Sequence, residues 1–260
     1  MLSTLPEHLS PSLEVRENRE LASEIKFLIP AVLSEEIRAW ARERLVPDPY
    51  AGGEMGDTYR TTSLYFDTAG FDVLHKNGSF GRSKYRIRRY GESEGVFLER
   101  KLKNRDMVSK RRSIIRADDL KRLRDSVPQH GWAGHWFHRR VHARSLRPVC
   151  QISYFRTARV GTAGFGPIRL TLDQDIRAVS LSRLAFSDGA ATPLADRHTI
   201  LELKFRHSLP GMFRELIETF RLQPQAVSKY RLASATEGCI NGWIARAQPA
   251  ECRQAVEPAA

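Results

Sequence analysis

Apolar and charged residues alternate with a period of two through much of this chain, and the polar partner in the alternation is nearly always ionic. In Lys84-Tyr85-Arg86-Ile87-Arg88-Arg89-Tyr90, read as a β-strand, Lys84, Arg86 and Arg88 point to one side. In Phe97-Leu98-Glu99-Arg100-Lys101-Leu102-Lys103, Glu99, Lys101 and Lys103 do the same. The pattern returns in Glu24/Lys26, Lys110/Arg112, Tyr154/Arg156, Arg169/Asp173 and Glu202/Lys204. A single such row is by default a solvated sheet face. Many rows of guanidinium, ammonium and carboxylate, with little Thr, Ser, Gln or Asn among them, argue for a shared interior.

The same periodicities place the elements. A strand is expected over Arg19 to Ile29, stopped by Pro30. Ser34 then caps a helix with Glu35 and Glu36 in its first turn, an apolar stripe of Ile37, Trp40, Ala41 and Leu45, and an end at Pro47. Thr58 to Thr68 is a strand rich in Tyr, Thr and Phe. The two basic strands follow, joined by the hairpin loop Gly91 to Gly95, and then a strand from Val108 to Arg116. Residues 117–146 are helical, opening on Asp118 and Asp119 and interrupted from Pro128 to Gly134. Strands are expected at Val149–Val160, Ile168–Ala178 and Thr199–Arg206. Pro210-Gly211 turns into a helix carrying Phe213, Leu216, Ile217 and Phe220, and Ser228 caps a last helix to about Arg246. Residues 1–18 read as a flexible arm, 19–246 as one domain and 247–260 as a disordered tail.

About eight strands in hairpin-like succession, charged on one face and apolar on the other, close most simply with the apolar face outward under helices. The expected fold is therefore α+β, an antiparallel eight-stranded β-barrel tunnel with a charged lumen and helices packed outside.

Charge sharpens this picture. The 260 residues hold 42 Lys and Arg against 30 Asp and Glu, a formal net charge of +12. Such an excess suits nucleic acid, an anionic membrane surface or a phosphate-rich ligand. Nucleic acid ranks low, because Tyr85, Tyr90 and Phe97 alternate away from the main cation face or flank it, whereas base readers display aromatics among their cations. Cys150, Cys239 and Cys252 have no paired spacing, which fits a reducing compartment, with Cys150 a small buried residue. No run of 18 apolar residues and no apolar leader occurs, and a cytoplasmic protein is expected. His135, His138 and His142 have helical spacing but no acidic or thiol partner nearby, and read as a half-exposed helix rather than a zinc site.

Glu24, Glu99 and Glu202 have two readings. They are salt-bridge partners that fix the cations, or some of them hold Mg²⁺ or Mn²⁺, hard ions that take oxygen ligands and bridge phosphates. Glu202 is the best metal candidate, in a strand whose neighbours are otherwise apolar. Lys229, just after Ser228, is a cation near a helix N-terminus, which an anion held there would satisfy.

Seven of these segments occur in the order seen in VTC domains: Glu24-Ile25-Lys26, Ser63 to Thr68, Lys84 to Arg88, Leu98 to Lys101, Tyr154 to Arg156, Leu201 to Lys204, and Ser228-Lys229-Tyr230. The chain thus resembles, over about residues 19–240, the polyphosphate polymerase domains of the vacuolar transporter chaperone, in the triphosphate tunnel metalloenzyme (CYTH-like) superfamily. The resemblance implies an antiparallel tunnel, phosphate-chain binding by Lys26, Arg86, Arg88, Lys101, Lys110, Arg156 and Lys229, and a metal on Glu202. Arg86, Arg88, Lys101 and Glu202 would be the catalytic set, with Glu24 and Glu99 as further metal candidates. Lys84, Lys103, Arg112 and Lys204 join the wall on strand parity alone. The implied reaction moves the γ-phosphate of ATP onto inorganic polyphosphate with Mn²⁺ or Mg²⁺. The alternatives are a tripolyphosphate or triphosphate hydrolase of the same fold, or a non-catalytic polyphosphate-binding module. The phosphate-sensing domain and membrane segments of the eukaryotic polymerases are not recognised in this sequence. Any export of product would then need a membrane-protein partner and place the chain at the inner face of the membrane.

Overall fold

The computed structural model describes residues 15–236, apart from 21–22, 50, 52–55, 105–106, 165 and 196. In chain order the strands are β1 (Val15–Glu20), β2 (Ser23–Pro30), β3 (Val46–Pro47), β4 (Thr58–Asp67), β5 (Ser83–Tyr90), β6 (Gly95–Asn104), β7 (Met107–Arg116), β8 (Arg147–Ala163), β9 (Gly166–Ser180), β10 (Thr192–Pro193) and β11 (His198–Phe205). The helices are α1 (Ala31–Arg44), α2 (Asp72–His75), α3 (His135–Ala143), α4 (Gly211–Thr219) and α5 (Lys229–Ala235), with 3₁₀ turns at Gly78–Arg82 and Ala117–Arg124. Among the described residues no helix is long and apolar enough to cross a membrane.

All the strands pair antiparallel in one sheet, in the order β1-β7-β6-β5-β4-β8-β9-β11-β2, with β10 added to β9 and β3 to β8. The strand number is therefore higher than the eight expected. The backbone ladder is also not closed among the described residues, since β1 and β2 end the path and do not pair. Side chains complete the curl, because Lys101 of β6 reaches Glu24 of β2 at 3.1 Å. β1 also takes in residues expected to belong to a loose N-terminal arm.

The inside-out polarity is as expected. On β5 Tyr85 and Ile87 are buried on the outer face, where Phe137 of α3 meets Tyr85 edge-on, while Lys84, Arg86 and Arg88 take the inner one. Two apolar layers cover the outside. One packs α3 and α5 on β4, β5, β6 and β8 through Leu64, Ile87, Leu98, Phe137 and Ile152. The other packs α1 and α4 on β2, β9 and β11 through Phe27, Ile37, Leu170, Leu201 and Phe213. Burial of these side chains, about 1.5–3 kcal/mol each, is what stabilises a sheet whose other face is ionic.

Several boundaries moved. α1 starts at Ala31 with Pro30 as its cap, so Ser34 lies within the helix and its hydroxyl bonds back to the Ala31 carbonyl at 2.6 Å. The stripe of Ile37, Trp40, Ala41 and Leu45 is buried as expected. The expected helix over 117–146 is a 3₁₀ turn followed by α3. His138 of α3 is buried with Nε2 2.9 Å from the Asp125 carbonyl, while His142 is exposed. The hairpin between β5 and β6 turns on Gly91, whose φ of 51° is in the left-handed region that favours glycine. The described part of the last helix is α5, and the stretch from 237 to Arg246 lies outside the described residues.

Candidate phosphate-binding tunnel

The inner face of the sheet encloses a cavity of about 500 Å³. On its wall stand Lys26, Lys84, Arg86, Arg88, Lys101, Lys110, Arg112, Arg156, Lys204 and Lys229, together with Glu24, Glu99 and Glu202. The strand parities therefore converge on one space, although they lie as far apart in sequence as Glu24 and Lys229. The Lys103 side chain lies outside the described residues.

Register decides how these charges meet. Arg86, Glu99 and Arg112 are successive cross-strand partners on β5, β6 and β7. Glu99 is 3% exposed and both its oxygens are engaged: Oε2 by Arg86 Nε at 2.5 Å, Oε1 by Arg112 Nε at 3.0 Å and Lys110 Nζ at 3.7 Å. Burial pushes its carboxyl up, but Arg86, Arg88 and Arg112 outweigh that and hold it far below the usual carboxylate range. Burial leaves Lys110, by contrast, with a pKa of about 8.

A second cluster forms where β2 meets β11, pairing Lys26 with Glu202 and Glu24 with Lys204. Glu202 lies 3.3 Å from Lys26 and 3.0 Å from Lys204, while Glu24 lies 3.3 Å from Lys204 and 3.1 Å from Lys101. Burial would raise Glu202, but Lys204 and Lys26 keep it well below its ordinary value. A third cluster centres on Asp173, fully buried and gripped by Arg156 Nε and Nη2 at 2.6 and 2.7 Å and by Lys229 Nζ at 2.5 Å. Against the opposing push of burial, these cations bring Asp173 to a pKa of about 2.

Among the described wall cations named above, Arg88 and Lys84 make no ion pair. Arg88 is 5% exposed, and its hydrogen bonds go to Ser63 Oγ and Tyr154 Oη, both at 3.1 Å. Lys84 has no ion pair among the described residues, and burial lowers its pKa. A buried guanidinium bound by hydroxyls alone is a strong site for an anion.

Parity arguments passed over several lumen groups. Asp173 belongs to the Arg169/Asp173 row, and its bonds to Arg156 and Lys229 add it to the site. Tyr65 and Tyr90 also line the cavity, as do Asp48 and Arg169, which pair at 2.9 Å. The signal for Tyr65 was present, because Tyr59, Thr61, Ser63 and Tyr65 alternate with the buried Leu64 and Phe66 on β4. Tyr90 and Phe97 flank the cation face. Tyr85 turns outward, but Tyr90 accepts a hydrogen bond from Arg112 at 2.9 Å, and the Phe97 ring lies 3.7 Å from the Arg112 guanidinium. Both are enclosed in the wall rather than displayed for stacking.

Among the described residues no group of three or more His, Cys, Asp and Glu gathers as a metal cluster. The fit to a divalent ion rests on Glu24 and Glu202, which share Lys204, and on Thr171. Thr171 is the register partner of Glu202, 2% exposed, with a hydroxyl that has no hydrogen-bond partner. Two carboxylates beside an unclaimed hydroxyl suit a hard cation that completes its shell with phosphate oxygens and water. Glu99 is claimed more fully, by three cations, two of them arginines, whereas each Glu202 oxygen carries one lysine.

The chain is an antiparallel sheet curled around an ionic lumen, with helices on its apolar outside. Residues 21–237 match the family model described as VTC domain, and the chain belongs to that family. A solved structure titled a putative adenylate cyclase from Bacillus halodurans shares the fold, with 16% identity over 80% of this chain and 94% of that one and a TM-score of 0.50. A putative adenylyl cyclase from Hippeastrum, described as having a dominant triphosphatase activity, is 14% identical over 80% of this chain and 92% of that one, with a TM-score of 0.46. No curated protein matches the chain.

Proposed function

We propose that the chain is a metal-dependent polyphosphate polymerase that transfers the γ-phosphate of ATP to a polyphosphate chain held in the tunnel. The observation that carries this reading is the surplus of cations in the lumen, above all Arg88, buried with hydroxyl partners only, and Lys84 without an ion pair. Phosphoryl transfer asks chiefly for alignment and neutralisation of charge, which rows of fixed cations supply. Arg86, Arg88 and Lys101 hold the reacting phosphates, while Lys26, Lys84, Lys110, Arg112, Arg156, Lys204 and Lys229 hold the rest of the chain. Glu99 fixes Arg86 and Arg112, and Asp173 fixes Arg156 and Lys229, so the cations stand ready rather than reorganising when the anion enters. Glu202 and Glu24 would hold Mn²⁺ or Mg²⁺, which when bound neutralises charge on the phosphates.

Incubation of purified protein with ATP and Mn²⁺ is expected to yield acid-precipitable polyphosphate and ADP. Untouched ATP beside rapid hydrolysis of tripolyphosphate would establish the hydrolase instead. Tight polyphosphate binding with neither reaction would leave a binding module.

A further inference from the structure

We propose that Tyr65 is the proton acceptor of the reaction carried out in this tunnel, a role that rests on the phosphoryl-transfer reading. Tyr65 stands on β4 opposite Arg86, its register partner on β5, and lines the cavity. Its ring lies flat against Tyr230 of α5, with centroids 5.7 Å apart and planes 4° from parallel, so the phenol is held in one orientation. Tyr90 and Tyr154 both receive hydrogen bonds from arginines. The Tyr65 hydroxyl has no hydrogen-bond partner among the described residues, which leaves it open to a ligand.

Its charged surroundings come from three elements. Lys84, Arg86 and Arg88 face it from β5, Lys229 from α5 and Lys26 from β2. Its strongest charged neighbours are all cations, and all are residues assigned above to phosphate binding. A phosphate chain held by them would therefore pass the phenol. Burial pushes the Tyr65 phenol up, but Arg86 and Arg88, then Lys229 and Lys84, outweigh it and bring it below the ordinary value. A phenol acidified in this way is a competent general base nearer neutral pH than an ordinary tyrosine.

The step balances without a further reagent. An acceptor hydroxyl, from the protonated terminal phosphate of the chain or from water, attacks the terminal phosphorus of the bound triphosphate. The new P–O bond forms as the bond to the bridging oxygen breaks, and the electron pair leaves with the diphosphate. The acceptor's proton passes to Tyr65 Oη and returns to solvent after product leaves.

The test is kcat/KM against pH for the wild-type protein, Tyr65→Phe and Tyr90→Phe, beside direct polyphosphate binding. Tyr65→Phe keeps the ring stacked on Tyr230. It is expected to bind polyphosphate within a few-fold of wild type, turn over on the order of 100-fold more slowly, and lose the acid limb of the profile. Fluorotyrosine at position 65 preserves ring and hydroxyl, and should shift that limb to lower pH. The proposal falls if Tyr65→Phe turns over like wild type with the limb intact, if fluorotyrosine leaves the limb in place, or if Tyr90→Phe alone removes it. A wild-type protein inert toward both ATP and tripolyphosphate removes the transferase reading itself, and the role of Tyr65 with it.

Discussion

Glu99 and Glu202 share a chemistry and a strand parity, yet their surroundings assign them different work. Glu99 is saturated by three cations, whereas Glu202 shares Lys204 with Glu24 and adjoins the unpartnered Thr171 hydroxyl. Glu99→Gln should destabilise the fold by about 3 kcal/mol or more, because it leaves buried cations uncompensated. Urea denaturation reads this loss, and added polyphosphate should restore more stability to the variant than to wild type. Glu202→Gln should abolish turnover while keeping most polyphosphate binding, and unchanged turnover would remove Glu202 from the metal site. That all three glutamates face the lumen was legible from alternation within single strands. Which of them is already occupied was not, because that depends on the register between strands, and period two carries no record of it.

At the level of elements, α5 is fastened to the sheet by two buried carboxylates. Lys229 meets Asp173, and Tyr230 Oη donates to Asp67 Oδ2 at 2.6 Å. Asp67 also accepts the backbone N–H groups of Thr68, Val73 and Leu74 at 2.7 to 3.0 Å, so the Asp of the Tyr-Phe-Asp-Thr run ties α2 and α5 to the end of β4. Asp173 has a folded pKa lowered from 3.8 to about 2. Its ionised form therefore stabilises the fold above pH 4, and that contribution, roughly 2 kcal/mol, is lost as pH falls from about 4 through 2. The urea midpoint should fall over this window in wild type, and Asp173→Asn should start lower and fall less steeply. The sequence made α1 legible through its apolar stripe but misplaced its start. Ser34 had the cap's side chain, while Pro30, with its fixed φ, lay where the chain leaves the strand. The 3₁₀ turn at 117–124 escaped for a related reason, since its apolar spacing fits an α-helix as well.

For the whole molecule, the period-two rows were enough to foresee a sheet turned inside out, with its charge within and its apolar face beneath helices. What they did not carry was the closure. Among the described residues the strand path ends at β1 and β2, and side-chain pairs such as Lys101 with Glu24, not a backbone ladder, complete the lumen. A lumen so rich in cations should bind polyanions more weakly as salt rises. The most direct measurement is the affinity of the purified protein for inorganic polyphosphate across a salt series, for wild type and for Arg88→Ala. Tight binding that weakens steadily with salt, and by at least ten-fold in Arg88→Ala at every salt concentration, is the predicted result. Binding that is absent at low salt, or indifferent to the loss of Arg88, would contradict a phosphate chain held in this tunnel.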